Sequence, residues 1–205
     1  MKKYIAVVDY GMGNLMSVSK ALEQVYNNVV VTESANKIKN ASAVVLPGVG
    51  AFCDAFCNLD KRKLIKPVID SVASGKPYLG ICLGLQLLFT ESEENGKWPG
   101  MGIIEGKVKR FPKTLKLKVP QIGWNRINFK KNEELFSGVK NGAFVYFVHS
   151  YYGMPTNKDD IAAFTEYGIK FPSAISRGNI IATQFHPEKS QNTGLRILKN
   201  FVKRV

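Results

Sequence analysis

The chain has 205 residues, 45% of them apolar and 22% charged, with a mean hydropathy of −0.09, the balance of a soluble globular protein; disordered and collagen-like readings are excluded. Apolar runs such as Ile5–Val8, Ala43–Leu46 and Ala143–Val148 fall far short of the roughly 18 residues a membrane helix needs. The net charge of +13, from 29 Lys+Arg against 16 Asp+Glu, invites an anionic partner, yet the basic residues are dispersed and no nucleic-acid-binding signature accompanies them.

The basic positions fall as Lys61-Arg62-Lys63, Lys107–Lys118, Lys130-Lys131 and Lys203-Arg204, which reads first as a solvated lysine-rich surface. The N-terminus, Met1-Lys2-Lys3-Tyr4-Ile5-Ala6-Val7-Val8-Asp9, has the positive start of a signal peptide. Its apolar stretch is only about half the usual core length and ends at an acid, so it reads as a first strand, and the chain is expected in the cytoplasm. Three cysteines, Cys53, Cys57 and Cys82, make no disulfide framework and agree with a reducing compartment.

After the β run Ile5–Val8, Gly11-Met12-Gly13-Asn14 makes a turn with Asn14 as N-cap. Leu15, Val18, Leu22 and Val25 then recur at spacings of three and four, one face of a helix. Val29–Val31 is a second strand. Ala43–Leu46 is a third, stopped by Pro47-Gly48-Val49-Gly50. A helix across Leu64–Ala73 and the punctuation Gly75-Lys76-Pro77 precede the strand Tyr78–Ile81. This rhythm predicts parallel β-α-β units with right-handed crossovers. Past Thr90 the pattern changes. Glu91–Pro99 is polar and predicts a loop, and Ile103–Phe129 is rich in strand and turn signals. Phe144–Val148, Ile161–Thr165 and Ile180–Gln184 predict further strands, some antiparallel, and Leu195–Val202 a closing amphipathic helix. With no repeat or linker, residues 1–205 are expected to form one α/β domain.

Gly80-Ile81-Cys82-Leu83-Gly84 follows a buried strand and is predicted to open an apolar helix, Leu83–Phe89. That is the strand–turn–helix setting of a nucleophile elbow, with cysteine in place of serine. The glycines suit a tight turn whose flanks a Cβ would crowd. The turn would lift the sulfur above the C-terminal edge of the sheet, where open α/β folds bind ligands. A helix N-terminus there favours thiolate, and the N–H of Leu83 is a donor for a developing oxyanion.

A cysteine nucleophile needs a base, and the chain has only two histidines, His149 and His186. In Thr183-Gln184-Phe185-His186-Pro187-Glu188, the histidine and glutamate stand two apart at a predicted strand end. Period-two geometry would put both on one face, so that the carboxylate orients the imidazole, with Pro187 ending the strand. Pro47-Gly48-Val49-Gly50 ends another strand and could supply a second oxyanion donor through Val49 or Gly50. Taken singly, a cysteine after a strand is most often a small buried hydrophobe, and His-Pro-Glu a turn. Together they point to catalysis. Cys53 and Cys57, at i, i+4 spacing with no further ligand nearby, are expected to pack rather than bind metal.

These motifs carry a resemblance. Through Pro47-Gly48-Val49-Gly50, Gly80-Ile81-Cys82-Leu83-Gly84-Leu85-Gln86 and Gln184-Phe185-His186-Pro187-Glu188, the chain resembles the class I, triad-type glutamine amidotransferases. More narrowly it is similar to the glutaminase subunits of imidazole glycerol phosphate synthase. Asp9-Tyr10-Gly11-Met12-Gly13-Asn14, Pro120-Gln121-Ile122-Gly123-Trp124-Asn125 and Tyr146-Phe147-Val148-His149-Ser150-Tyr151 carry that closer likeness. The resemblance implies a flavodoxin-like fold: a mixed, mostly parallel sheet with helices on both faces. It implies that Cys82 attacks the side-chain amide of L-glutamine, that His186 shuttles the proton to leaving ammonia, and that Glu188 holds His186. Gln86 and His149-Ser150-Tyr151 would contact the substrate, partly through backbone groups. No cofactor or metal is implied. Ammonia would pass to a (β/α)8-barrel cyclase subunit in a heterodimer, with Asn14 and the Gly-Trp-Asn loop, through Trp124, at the interface. The Lys107–Lys118 segment is more basic than the family suggests and has no assigned role; part of the chain's excess positive charge is expected to steer docking onto an acidic face of that partner.

Two alternatives keep the same fold: glutaminase chemistry feeding a sugar-modifying partner, and a γ-glutamyl hydrolase or cysteine peptidase. A nucleic-acid-binding protein rests on charge alone, and neither nucleic acid nor membrane is expected as a partner.

Overall fold

The apolar runs of the first half form strands too buried to alternate with polar residues, and they pair in parallel. A computed structural model describes residues 3–114, 116–130 and 133–205; the Met1-Lys2 start, Leu115 within the basic segment, and Lys131-Asn132 lie outside them. In chain order the first elements are β1 (Ile5–Val8), α1 (Leu15–Glu23), β2 (Val29–Thr32), α2 (Ala35–Asn40), β3 (Ala43–Gly48), α3 (Phe52–Lys61), α4 (Ile65–Ala73), β4 (Tyr78–Cys82) and α5 (Leu83–Gln86). There follow β5 (Phe89–Ser92), β6 (Trp98–Pro99), β7 (Ile104–Arg110), β8 (Gln121–Arg126), β9 (Asn128–Phe129), β10 (Phe144–His149), β11 (Tyr151–Pro155), β12 (Ile161–Glu166), β13 (Lys170–Arg177), β14 (Ile180–Thr183) and α6 (Gln191–Val202).

The main sheet has the order β2-β1-β3-β4-β14-β13-β12-β9. Every pairing from β2 to β14 is parallel, and the remaining three are antiparallel. Successive side chains alternate between its two faces. Ile5, Val7, Val45, Leu79, Ile81 and Ile181 join a core closed by Val18 and Leu22 of α1 and by Ile197, Leu198 and Phe201 of α6. Val8, Val44, Leu46, Tyr78, Ile180 and Ala182 join a second core with Ile38, Phe52, Leu59 and Val68 from α2, α3 and α4. The expected mixed, mostly parallel sheet with helices on both faces is therefore present. A four-stranded sheet, β11-β7-β5-β6, and a two-stranded ribbon, β8-β10, complete the fold. Among the described residues no helix is long and apolar enough to cross a membrane.

Asn14 caps α1 as expected, its side chain accepting from the Ser17 N–H at 3.2 Å. Other expectations need correction. The helix after Cys82 is one turn, Leu83–Gln86, and does not reach Phe89. It stops because the Gly84 carbonyl is taken by the Tyr78 hydroxyl and the Leu88 N–H turns instead to the Leu85 carbonyl at 3.2 Å, after which Met101, Ile104 and Gly102 hold the carbonyls of Leu87, Leu88 and Phe89 in extended structure. Glu91–Pro99 is not a loop but much of the β5-β6 hairpin, turned through Asn95 and Gly96 at positive φ. The Gly-Trp-Asn segment is not a loop either; it lies within β8, paired antiparallel with β10. Cys53 and Cys57 are free thiols, and Cys57 is exposed, because Phe52, Ala55 and Leu59 form the buried face of α3.

The elbow depends on bare backbone. A Cβ on Gly84 would stand 1.8 Å from the Leu46 carbonyl oxygen, and one on Gly80 2.6 Å from the Gly84 oxygen. Neither obstacle is a side chain that can swing away. Gly84→Ala should therefore destabilise the fold by about 3 kcal/mol or more, read from urea denaturation. A midpoint close to wild type would mean that α5 can lift off β3 at little cost.

Candidate active site

β3, β4 and β14 all end at the same edge of the sheet, with Gly48 in register opposite Cys82 and Thr183 opposite Ile81. The chain must turn sharply there, and Cys82 takes φ 54°, ψ −103°, a backbone region that costs a non-glycine residue about 1–3 kcal/mol. What holds it is the contact of Gly84 with β3 and a hydrogen bond from the buried Tyr78 hydroxyl to the Gly84 carbonyl at 3.0 Å. The helix beneath Cys82 is one turn long, so its dipole is small and the expected help to a thiolate from that source is correspondingly weak.

His186 and Glu188 meet, though not by strand periodicity. β14 ends at Thr183, and Pro187 opens a 3-10 turn, Pro187–Lys189. The turn brings Glu188 Oε1 to 2.7 Å from His186 Nδ1, with the two side chains only 2% and 1% exposed. The backbone of His186 is fixed separately. Its N–H donates to the Tyr146 carbonyl at 2.9 Å, and its carbonyl accepts from the Ser190 hydroxyl at 2.6 Å.

Burial alone would press His186 toward its neutral form. The charge of the Cys82 sulfur, joined by the Glu188 carboxylate, outweighs it and raises the imidazole to about 10. Its Nε2 makes no hydrogen bond. The proton on that atom is therefore held chiefly by the charge of the Cys82 sulfur. His149 is the opposite case. Burial pushes it down to about 4, and the charge of His186 adds to that push against the Tyr151 carbonyl. Its Nδ1 lies 2.9 Å from the Tyr151 carbonyl, which can only accept, so Nδ1 carries the proton. Gln121 Oε1 stands 3.2 Å from Nε2; because Nε2 of this neutral ring can only accept, the Gln121 amide is to be read in the opposite sense, with its NH2 toward the ring.

A cavity of about 300 Å3 opens over Cys82, lined by Val49, Gly50, Leu83, Gln86, Val148, His149, Ser150, Tyr151, Glu94 and Lys189. Every oxyanion and substrate residue expected from sequence borders it. The ring of His149, however, is enclosed by Phe111, Phe147 and Phe171. Its nitrogens serve Tyr151 and Gln121 and are not free for a ligand. Glu94 was not anticipated. It sits in the β5-β6 turn, accepts the Phe52 N–H at 2.8 Å, and has its carboxyl raised by burial. Glu91, Glu93 and Glu94 stand together in an aperiodic polar stretch that gives no sign of which one faces inward. Asn14 is exposed on its turn, while Ile122 (64%), Trp124 (46%) and Phe144 (50%) leave apolar surface on the β8-β10 ribbon. Among the described residues no cluster of three His, Cys, Asp or Glu could hold a metal ion.

An elbow cysteine beside a buried His–Glu pair defines a class of amide-hydrolysing enzyme, and the comparisons agree. The family model for "Glutamine amidotransferase class-I" matches residues 6–205. Similar folds include PurLQS from Thermotoga maritima (TM-score 0.77, 16% identity, 99% of each chain covered) and a glutamine amidotransferase from the same organism (TM-score 0.63, 16% identity, 99% of this chain and 84% of that one). Relatives called "Imidazole glycerol phosphate synthase subunit HisH" are far more alike. The one from Archaeoglobus fulgidus is 54% identical over 198 residues, covering 97% of both chains, and the one from Geobacter metallireducens 50% over 202 residues, covering 96% of both. The chain belongs to the class I glutamine amidotransferases and, within them, to the HisH family.

A raised imidazole means that the native state holds this proton more tightly than the unfolded chain. The resulting stabilisation is complete below about pH 6.5 and is lost as pH rises through about 10. An NMR titration of the His186 ring should find its transition near pH 10, displaced downward in Cys82→Ala. Equal midpoints in the two proteins would refute the coupling to the sulfur.

Proposed function

We propose that the chain, as a single domain spanning 1–205, is the glutaminase subunit of imidazole glycerol phosphate synthase and works in the cytoplasm in histidine biosynthesis. The observation that carries this reading is a buried His186–Glu188 pair, at 2.7 Å, coupled to Cys82, which lines a cavity of amino-acid size. L-Glutamine enters with its side-chain amide over Cys82. Glu94 offers a carboxylate to the α-ammonium group, with Gln86 and the backbone of Ser150 and Tyr151 completing the contact. The sulfur attacks the amide carbon, and the electron pair of the C=O moves to oxygen. The N–H of Leu83 and one from Val49 or Gly50 receive that charge. His186 begins as imidazolium, so it acts first as an acid: Nε2 protonates the amide nitrogen as the C–N bond breaks, and ammonia leaves. Neutral His186 then takes a proton from water, whose oxygen attacks the thioester, and glutamate and the thiolate are released. Glu188 keeps Nδ1 protonated throughout.

The ammonia is delivered to a (β/α)8-barrel cyclase subunit. Trp124, with Ile122 and Phe144 around it, supplies the apolar centre such an interface needs, and Asn14, exposed on the turn before α1, is the second residue the partner would contact. Part of the chain's excess positive charge, +13 in all, steers the approach.

Cys82→Ala should abolish glutamine hydrolysis in the complex while leaving the partner able to use free ammonia. His186→Asn should cut kcat about 10³- to 10⁴-fold, and His149→Asn should act mainly on KM and stability. Hydrolysis of γ-glutamyl peptides but not of glutamine, with the synthase partner present, would overturn the assignment. Trp124→Ala should weaken association with the co-purified barrel by about 30-fold or more, and the association rate should fall as salt rises. A rate indifferent to ionic strength would remove the steering role.

A further inference from the structure

We infer that Gln184 is a positioning residue for the nucleophile, its side-chain amide holding the Cys82 sulfur in an orientation dictated by the Tyr151 carbonyl; this rests on the reading of Cys82 as nucleophile. Gln184 is 0% exposed and does not border the cavity. A buried carboxamide is costly unless each end is met, and an apolar side chain would fill the same space without that cost. Its two ends are met in a particular way. Oε1 accepts from Gln86 Nε2 at 3.2 Å, and Nε2 donates to Cys82 Sγ at 3.6 Å.

The polarity of this chain is not free. The Tyr151 carbonyl accepts from Gln86 at 2.9 Å, and a carbonyl can only accept, so Gln86 must present its NH2 there. The same NH2 reaches Gln184, which must therefore present oxygen to it. That leaves the Gln184 NH2 facing the sulfur. The N–H favours a negative sulfur over a neutral one and fixes where it lies. Phe185, buried against Phe147, separates Gln184 from His186, so one short segment supplies the sulfur with a neutral donor and a cationic neighbour. Gln86 also lines the cavity, so a ligand seated against it bears on the amide that orients Gln184.

The test is Gln184→Met in the full complex, of similar volume but without the donor. Cys82 alkylation by iodoacetamide should slow about 10- to 100-fold at neutral pH, with its pH profile moved upward, and kcat should fall by a similar factor while KM changes less than about threefold. Gln184→Glu, which keeps the shape, should slow alkylation at least as much and covers the case in which the methionine variant does not fold. Wild-type alkylation profiles and kcat in a folded Gln184 variant would overturn the inference. Loss of glutamine hydrolysis in Cys82→Ala, measured alongside, separates that outcome from failure of the nucleophile assignment, which would show as activity retained without the thiol.

Discussion

The one-turn helix after Cys82 crosses β3 with the Gly84 backbone seated on the Leu46 carbonyl, closer than any side chain permits. Much of the site follows from that crossing. Because α5 lies so low on the sheet, the chain leaving β4 must reverse within a residue, and Cys82 absorbs the reversal in an unfavourable conformation. The same closeness places Gly48 opposite Cys82 and brings the Val49-Gly50 backbone to the cavity wall. Leu46 and Tyr78 are core residues. The strain at Cys82 is thus sustained by the packing that stabilises the sheet.

A second constraint is one of hydrogen-bond direction. The Tyr151 carbonyl receives both His149 and Gln86. It therefore sets the tautomer of one and the rotamer of the other, and through Gln86 it sets Gln184. At its far end the network reaches Gln121, the first residue of β8, whose neighbours Ile122 and Trp124 are exposed. Buried polar chains of this kind are stable only when every member is satisfied. A shift of β8 would therefore be felt at Tyr151 as a changed hydrogen-bond pattern. The route from the exposed ribbon to the sulfur runs through side chains that each have one workable orientation.

Legibility from sequence followed burial. Strands such as Ile5–Val8 and Tyr78–Ile81 were plain because parallel strands buried on both faces are continuous apolar runs. The proposed triad was legible because glycine, proline and the scarcity of histidine isolate its members. What failed had a local reason. The helix predicted through Phe89 ends early because the Tyr78 hydroxyl takes the Gly84 carbonyl and residues more than ten positions away draw Leu87–Phe89 into extended pairing. Asn95-Gly96 is a strong hairpin signal, outweighed by the polarity around it. Glu94 and Gln184 owe their positions to partners 42 and 102 residues away, and no spacing rule reaches that far.

The two histidines show why residue type alone does not assign a role. Both are almost fully buried and lie close enough to influence each other, yet one is raised to about 10 and the other lowered to about 4. Desolvation acts on both in the same direction, so the divergence comes from their partners. His186 faces a sulfur and a carboxylate, both able to carry negative charge. His149 faces a carbonyl and an amide, which satisfy a neutral ring and cannot sustain a cation against the desolvation of that aromatic enclosure. Placing the cation beside the thiol and a neutral ring behind it keeps a single mobile proton in the site. A charged His149 would compete with His186 for the field of the same sulfur and lower its pKa, and the acid proposed for the leaving nitrogen would weaken. The aromatic enclosure of His149 is in that sense part of the electrostatics of His186.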